Sequence, residues 1–321
     1  MIGRPMLIPL ACLLVALLAS WLLTPLVRVT ARRRGLLDAP GERKVHDVAI
    51  PRLGGVAIAA AVYLGVAAGL VLQSLGASSG SPSSELMVVL VGAALIGSVG
   101  LLDDLVGVRA RAKLTAQIAV SLLVVVLGLS IDHLDGPWGS ILLGGWSVPI
   151  TVAWFVLVMN AMNLIDGLDG LASGVALAAI GAFFVIATAS GEAPPIALVL
   201  AATAGGVLGF LPYNLSPATI IMGDTGAILL GFLLAAAGVA VTQGGSPGAA
   251  PWAPVIAVGL PLADTAWAIL RRLSSGTAIF APDKRHIHHR LLALGLSQRR
   301  TMLLLWLICA GLAGVAVLTA R

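Results

Sequence analysis

Apolar residues run along this chain in long blocks separated by short polar intervals, and a helix that crosses a bilayer needs about 20 mostly apolar residues. That length picks out ten stretches, at 5–28, 53–75, 85–102, 114–131, 147–163, 171–190, 195–213, 225–243, 252–270 and 301–320. Each is predicted to be a transmembrane helix. Together they predict an all-α polytopic membrane protein, with about ten transmembrane helices around a cytoplasmic-facing cleft. Gly and Ala recur along many of the stretches, which suits close helix packing in lipid. The first stretch is longer than the apolar core of a secretion signal, and Arg28, Arg32, Arg33 and Arg34 follow it as a stop-transfer flank, so it is expected to stay in the protein.

Composition agrees with this pattern. Of 321 residues, 59% are hydrophobic and 10% charged, against roughly 25% charged in a soluble domain; the mean hydropathy is +1.04. One transmembrane catalytic domain over 1–321 is the expectation. The net charge of +5 does not point to nucleic acid, because the basic residues sit in loops between apolar stretches rather than on a soluble face. All 19 Lys and Arg except Arg4 and Arg321 fall on one side of the alternating loops. The positive-inside rule makes that side cytoplasmic, with both termini outside and an even number of spans. Cys12 and Cys309 lie inside apolar runs without the partners a disulfide or zinc site needs; they are expected to face lipid or to pack.

The acidic residues sort to the same side, which charge bias alone does not require. Asp38, Glu42, Asp47, Asp103, Asp104, Asp166, Asp169, Asp224, Asp264 and Asp283 lie at or near the cytoplasmic face, leaving Glu85, Asp132, Asp135 and Glu192 opposite. Carboxylates at helix ends are costly if they only face lipid, so a shared polar site is the default expectation. Asp103 and Asp104 are adjacent, with Lys113 at the start of the next helix. Such a pair is stabilised by a lysine or by a hard divalent cation such as Mg²⁺, or is simply a solvated turn. Asn160, Asn163 and Asp166 recur every three residues and can project from one helical face before Gly167 and Gly170 permit a turn; Asp169 could instead cap the following helix. Asp224 with Thr225 reads as an N-cap and equally as a carboxylate at a helix N-terminus, where amides and dipole favour phosphate. His286, His288, His289 and Arg290 follow Asp283, Lys284 and Arg285 in a long basic loop. Three histidines suggest zinc, but the nearby Lys and Arg disfavour a dication, so anion recognition fits better.

Taken together, D-A-P-G-E-R-K-V-H (38–46) with P-R-L-G-G (51–55), L-L-D-D (101–104) with Lys113, N-A-M-N-L-I-D-G-L-D-G-L-A (160–172), M-G-D-T-G (222–226) and H-I-H-H-R-L (286–291) resemble the polyprenyl-phosphate N-acetylhexosamine-1-phosphate transferases. The likeness spans about 35–295 in the family's order. It implies a cytoplasmic cleft that takes a UDP-sugar from the cytosol and a polyprenyl phosphate from the membrane lipid, with Mg²⁺ as cofactor, Mn²⁺ as a substitute and a homodimer as one form of self-association. It also implies Asn163 and Asp224 as metal ligands, and Asp103, Asp104, Lys113 and Asp166 as catalytic residues. Lys44, His46, Asn160, Asp169, His286, His288, His289 and Arg290 are implied to bind substrate, Asp169 at the uracil. H-I-H-H-R-L resembles the branch that transfers N-acetylglucosamine-1-phosphate more than the one that uses UDP-MurNAc-pentapeptide. Ile221 stands where many members carry a phenylalanine thought to stack on uracil, and Ala227 where a serine is common.

Attack of one phosphate on another is opposed by charge, so a bridging cation and nearby Lys or Arg lower the barrier. Direct attack of the lipid phosphate on the β-phosphorus, displacing UMP, is expected, with Asp103 or Asp104 accepting a proton or holding the dianion. A two-step route through an aspartyl-phosphate is the alternative, separated from it by stereochemistry at phosphorus. A transporter is the rival from another class, since intramembrane acids also mark ion paths; here the acids stop at one face, Asp264 apart.

Overall fold

The computed structural model describes residues 4–38, 49–75, 83–136, 139–189, 191, 193–243, 251–276 and 285–320, and in residues 4 and 5 the backbone alone. Its helices are α1 (Arg4–Arg33), α2 (Gly54–Leu75), α3 (Ser84–Val106), α4 (Ala110–Val126), α5 (Ser147–Ile165), α6 (Leu171–Ala187), α7 (Pro195–Asn214), α8 (Gly223–Gln243), α9 (Trp252–Ala257), α10 (Gly259–Ser274), α11 (Ile287–Ala293) and α12 (Gln298–Thr319). The all-α expectation needs one amendment, two small antiparallel pairs: β1 (Leu37–Asp38) with β2 (Ile50–Pro51), and β3 (His133–Gly136) with β4 (Gly139–Leu142).

Among the described residues, seven helices are long and apolar enough to cross a membrane: α1, α2, α3, α5, α7, α8 and α12. The protein is membrane-embedded. The other three predicted stretches differ. Helices α4 and α6 have 17 residues each, about 26 Å at 1.5 Å per residue, which is less than the roughly 30 Å hydrocarbon core. The stretch predicted as one helix over 252–270 is two, α9 and α10, broken at Val258. Pro261 accounts for the break: it lacks an N–H, and its ring clashes with the carbonyl four residues back, at Ala257. Helix α1 also continues past its predicted end, carrying Arg28, Arg32 and Arg33 on the helix itself.

Helix α8 is the axis of the bundle, with 94% of its most apolar window buried against 22% for α1. Helices α2, α3 and α5 pack on it; α1 and α7 pair beside α2, α6 and α12 close another side, and α4 and α10 flank α5. A Cβ at Gly205 or Gly209 of α7 would stand 2.1 or 2.3 Å from the carbonyl oxygens of Leu13 and Leu17, so small residues set the α1–α7 distance, as expected in lipid. Cys12 and Cys309 are both buried and serve packing. At one end Gln243 ties α8 to the β3–β4 hairpin, its Oε1 accepting from the Asp132 N–H at 2.9 Å and its amide donating to the His133 carbonyl at 2.9 Å. The other end of α8 begins at Gly223, and the motif carboxylates gather there.

Candidate functional site

The first turn of α8 meets the end of α3 and the start of α2 at van der Waals limits. Gly223 sits at φ +72°, and a Cβ on it would lie 2.7 Å from both the Arg52 carbonyl oxygen and an Asp104 carboxylate oxygen. Residue 223 is therefore held to glycine by backbone and space together. Asp104, 3% exposed, uses that proximity. One carboxylate oxygen accepts the Asp224 N–H at 3.0 Å; the other accepts the Thr225 N–H at 2.9 Å and its hydroxyl at 2.6 Å. These amides belong to the first turn of α8, which its own helix cannot satisfy. The N-cap expected of Asp224 is thus corrected. A carboxylate from α3 caps α8, which leaves the Asp224 side chain for other partners.

Those partners come from α4 and α5. Lys113 in the first turn of α4 donates to Asp224 and forms an ion pair with Asp103 at 2.9 Å, while the Asn163 amide also donates to Asp224. Asp103 accepts the Val108 N–H at 2.7 Å as well. Four residues from four helices therefore share one network. Asn160, one turn earlier on α5, donates to Gln117 Oε1 at 2.7 Å. Gln117 is fully buried.

The tight α5–α6 turn holds Asp166 and Asp169. Burial first, then the charges of Asp224, Asp104 and Asp169, hold the Asp166 carboxyl well above the ordinary carboxylate range. Asp169 does not cap α6, contrary to one reading of the sequence. Its carboxylate accepts the Ala218 N–H at 2.9 Å and so ties this turn to the α7–α8 connection. Asn214 at the end of α7 anchors the start of α6, its Oδ1 accepting the Gly170 N–H at 3.1 Å and the Ser173 hydroxyl at 3.2 Å.

Two clefts meet at this network. A polar one of about 300 Å³ is bordered by Asp104, Asp169, Asp224 and Arg52. A larger one of about 870 Å³ runs between α4, α5 and α10, with Asp103 and Lys113 at its polar end and Leu114, Val156, Leu157 and Ile269 among its walls. Asn163, Asp166, Gly167 and His289 border both. His286 and His288 border the larger one, whereas Arg290 is exposed on α11 and borders neither. The His288 ring lies where a side chain on Gly167 would be, 2.4 Å from an ideal Cβ. Burial first, then the neighbouring His289 and His286, push its pKa down to about 3. Ile221 borders the polar cleft, and Ala227 is fully buried behind it. Lys44 and His46 lie outside the described residues, as do Asp283 and Lys284.

Arg52, Gln117, Asn214 and Asp264 also take part in this region, although no role for them was legible along the chain. Arg52 stands in the P-R-L-G-G motif, and its Nε is buried without a hydrogen-bond partner among the described residues. An amide inside an apolar stretch was the available signal for Gln117. Asn214 stood in the P-Y-N-L-S-P run before α8, and Asp264 was visible only as a lone acid.

The oxygen donors of Asp224 and Asn163, beside an Asp166 that faces the charges of Asp224, Asp104 and Asp169, suit a hard divalent cation. No group of three or more His, Cys, Asp or Glu among the described residues is arranged to hold a metal alone. Mg²⁺ does not require one, since it is commonly bound by one or two carboxylates together with substrate phosphates.

Comparison with known proteins bears on the same segment. The Glycosyl transferase family 4 profile matches residues 86–242. The chain is 38% identical, over 92% of its length and 80% of the relative's, to a probable undecaprenyl-phosphate N-acetylglucosaminyl 1-phosphate transferase of Bacillus subtilis. It is also 38% identical to a decaprenyl-phosphate N-acetylglucosaminephosphotransferase of Mycobacterium leprae, over 92% of this chain and 79% of that one. With the undecaprenyl-phosphate alpha-N-acetylglucosaminyl 1-phosphate transferase of Escherichia coli K12 it shares 29% identity, over 91% and 78%.

Proposed function

We propose, from the premise that this chain belongs to the polyprenyl-phosphate N-acetylhexosamine-1-phosphate transferases, that it moves N-acetylglucosamine-1-phosphate from UDP-GlcNAc to a polyprenyl phosphate, with Mg²⁺, and releases UMP at the cytoplasmic face. The observation that carries this reading is the junction of two unlike clefts at Asn163 and Asp166. A water-soluble nucleotide sugar suits the polar cleft, and a prenyl chain suits the apolar walls of the larger one. Their phosphates then meet at the carboxylate and lysine network. The ten-span topology with both termini outside belongs to this reading, since it sets the basic loops and the site on the cytoplasmic side.

Asp224 and Asn163 would hold Mg²⁺, which when bound neutralises charge on the diphosphate and polarises the phosphoryl group to be attacked. The chain's own residues do the rest. Lys113, fixed between Asp103 and Asp224, places a cation at the end of the lipid cleft, where the attacking phosphate needs one. A new bond from the lipid phosphate oxygen to the β-phosphorus forms as the bond to UMP breaks. Asp103 borders the lipid cleft, whereas Asp104 spends its carboxylate on α8, so Asp103 is the better placed of the two to accept a proton. A phosphate monoester titrates near 6, and little base strength is needed. Arg52 in the polar cleft offers a guanidinium to the nucleotide phosphates.

The test is UMP release by the purified protein in lipid nanodiscs, given UDP-GlcNAc, polyprenyl phosphate and Mg²⁺ separately and together. Release only with all three is expected. Release from UDP-MurNAc-pentapeptide but not UDP-GlcNAc would reassign the sugar, and no release from any UDP-sugar would reject the reading.

A further inference from the structure

The lone acid of α10 and the first histidine of the basic loop are 22 residues apart in sequence and in contact in space. Asp264 places one carboxylate oxygen 2.8 Å from His286 Nδ1, and its other oxygen accepts the Ile287 N–H at 2.9 Å. Both side chains are enclosed, at 7% and 6% exposure. Ile287 is the first residue of α11, and His286 before it is in extended conformation and makes no cap with its own side chain. One carboxylate therefore does two things: it caps α11 from another helix, and it grips the imidazole that precedes it.

The consequence lies at the opposite edge of that imidazole. A carboxylate can only accept, so Nδ1 must carry the proton, and Nε2 becomes the nitrogen that His286 offers to the larger cleft it borders. The His286 and His288 rings stand parallel, with centroids 6.0 Å apart, and His288 lies 4.2 Å from His289 by the same measure. The register of all three rings thus starts from the residue that Asp264 grips.

We infer that Asp264 is a positioning residue of the phosphate-transfer site: it fixes His286 as the Nδ1–H form with Nε2 presented to the lipid-side cleft, and it sets the start of α11. The part played by His286 toward phosphate rests on the proposed reaction; the Asp264–His286 pairing does not. An acid that served only as a helix cap would behave differently on substitution. In Asp264→Asn the remaining carbonyl oxygen still accepts the Ile287 N–H, but the new amide is a donor, so the imidazole must turn to the Nε2–H form.

Two measurements test this. Nitrogen-15 spectra of histidine-labelled protein, with His286 identified by its loss in His286→Gln, are expected to show Nδ1–H in the wild type and Nε2–H in Asp264→Asn. An Nε2–H form in the wild type overturns the inference, and that measurement needs neither turnover nor a folded Asp264 variant. Kinetically, Asp264→Asn is expected to lower kcat roughly 10- to 100-fold while the KM for UDP-GlcNAc changes less than about threefold and melting is nearly unchanged. The double variant with His286→Gln is expected to be no slower than His286→Gln alone, because the two residues act as one unit. Wild-type kcat in Asp264→Asn, or losses that multiply in the double variant, overturn it. A wild type that releases no UMP rejects the proposed reaction instead, and the tautomer measurement still decides the role of Asp264.

Discussion

Replacing Asp104 by alanine separates a structural carboxylate from a chemical one. The substitution removes the acceptor of three hydrogen bonds, two of them from first-turn amides of α8, at a site only 3% exposed. An unsatisfied buried donor costs about 1–3 kcal/mol, and partial relaxation brings the expected total to about 3–5 kcal/mol. With an unfolding entropy of roughly 2.1 cal/mol/K per residue over 321 residues, the melting temperature should fall by about 4–7 °C. Asp104→Asn keeps one carbonyl oxygen and should lose about half of that. Turnover should fall about 100-fold or more in the alanine variant, because Asp224 rides on the turn that Asp104 anchors and small displacements of reacting groups carry such penalties. Thermal melts in detergent read beside UMP release provide the assay. An alanine variant that melts with the wild type yet has lost turnover would refute the capping argument and return Asp104 to direct contact with substrate.

Three further outcomes are expected. Asp166→Asn removes a carboxylate surrounded by the charges of Asp224, Asp104 and Asp169. It should abolish turnover yet raise the melting temperature by roughly 2–4 °C in metal-free buffer, and a lower melting temperature would count against the crowding of charge. His288, with its folded pKa pushed down to about 3 against roughly 6.5 when unfolded, binds fewer protons folded than unfolded between those values. Stability should therefore fall as pH drops through that window, with this group contributing up to about 1.4 kcal/mol per pH unit; melts at pH 6.5 and 4.5 should show a smaller loss in His288→Gln than in the wild type. Arg52→Ala should raise the KM for the nucleotide sugar about 10- to 100-fold, with Arg52→Lys intermediate, and an unchanged KM would remove Arg52 from the phosphate site.

Much of this protein is legible along the chain because the forces that decide it are local. Insertion of an apolar stretch in a bilayer depends on its own residues and length, so the membrane setting and the seven long helices followed from hydropathy. The order of the five motifs pointed to the family in the same way. Helices α4 and α6 were harder to judge because their apolar runs extend past the helix ends, and the break between α9 and α10 was signalled by Pro261 but masked by unbroken hydropathy.

Which partner each polar group takes was not legible. Asp103 and Asp104 are neighbours in sequence, yet successive residues of a helix project about 100° apart. One therefore meets Lys113 on α4 and the other the first turn of α8. The same holds for Asp264 with His286 and for Asn214 with Gly170. Patterning along the chain determined that this protein lies in a membrane and that ten of its fourteen acids lie toward one end of the helical bundle. Only the packing of α3, α4, α5 and α8 decided which carboxylate caps a helix and which pairs with Lys113, because hydrogen bonds depend on direction and distance between residues far apart in sequence.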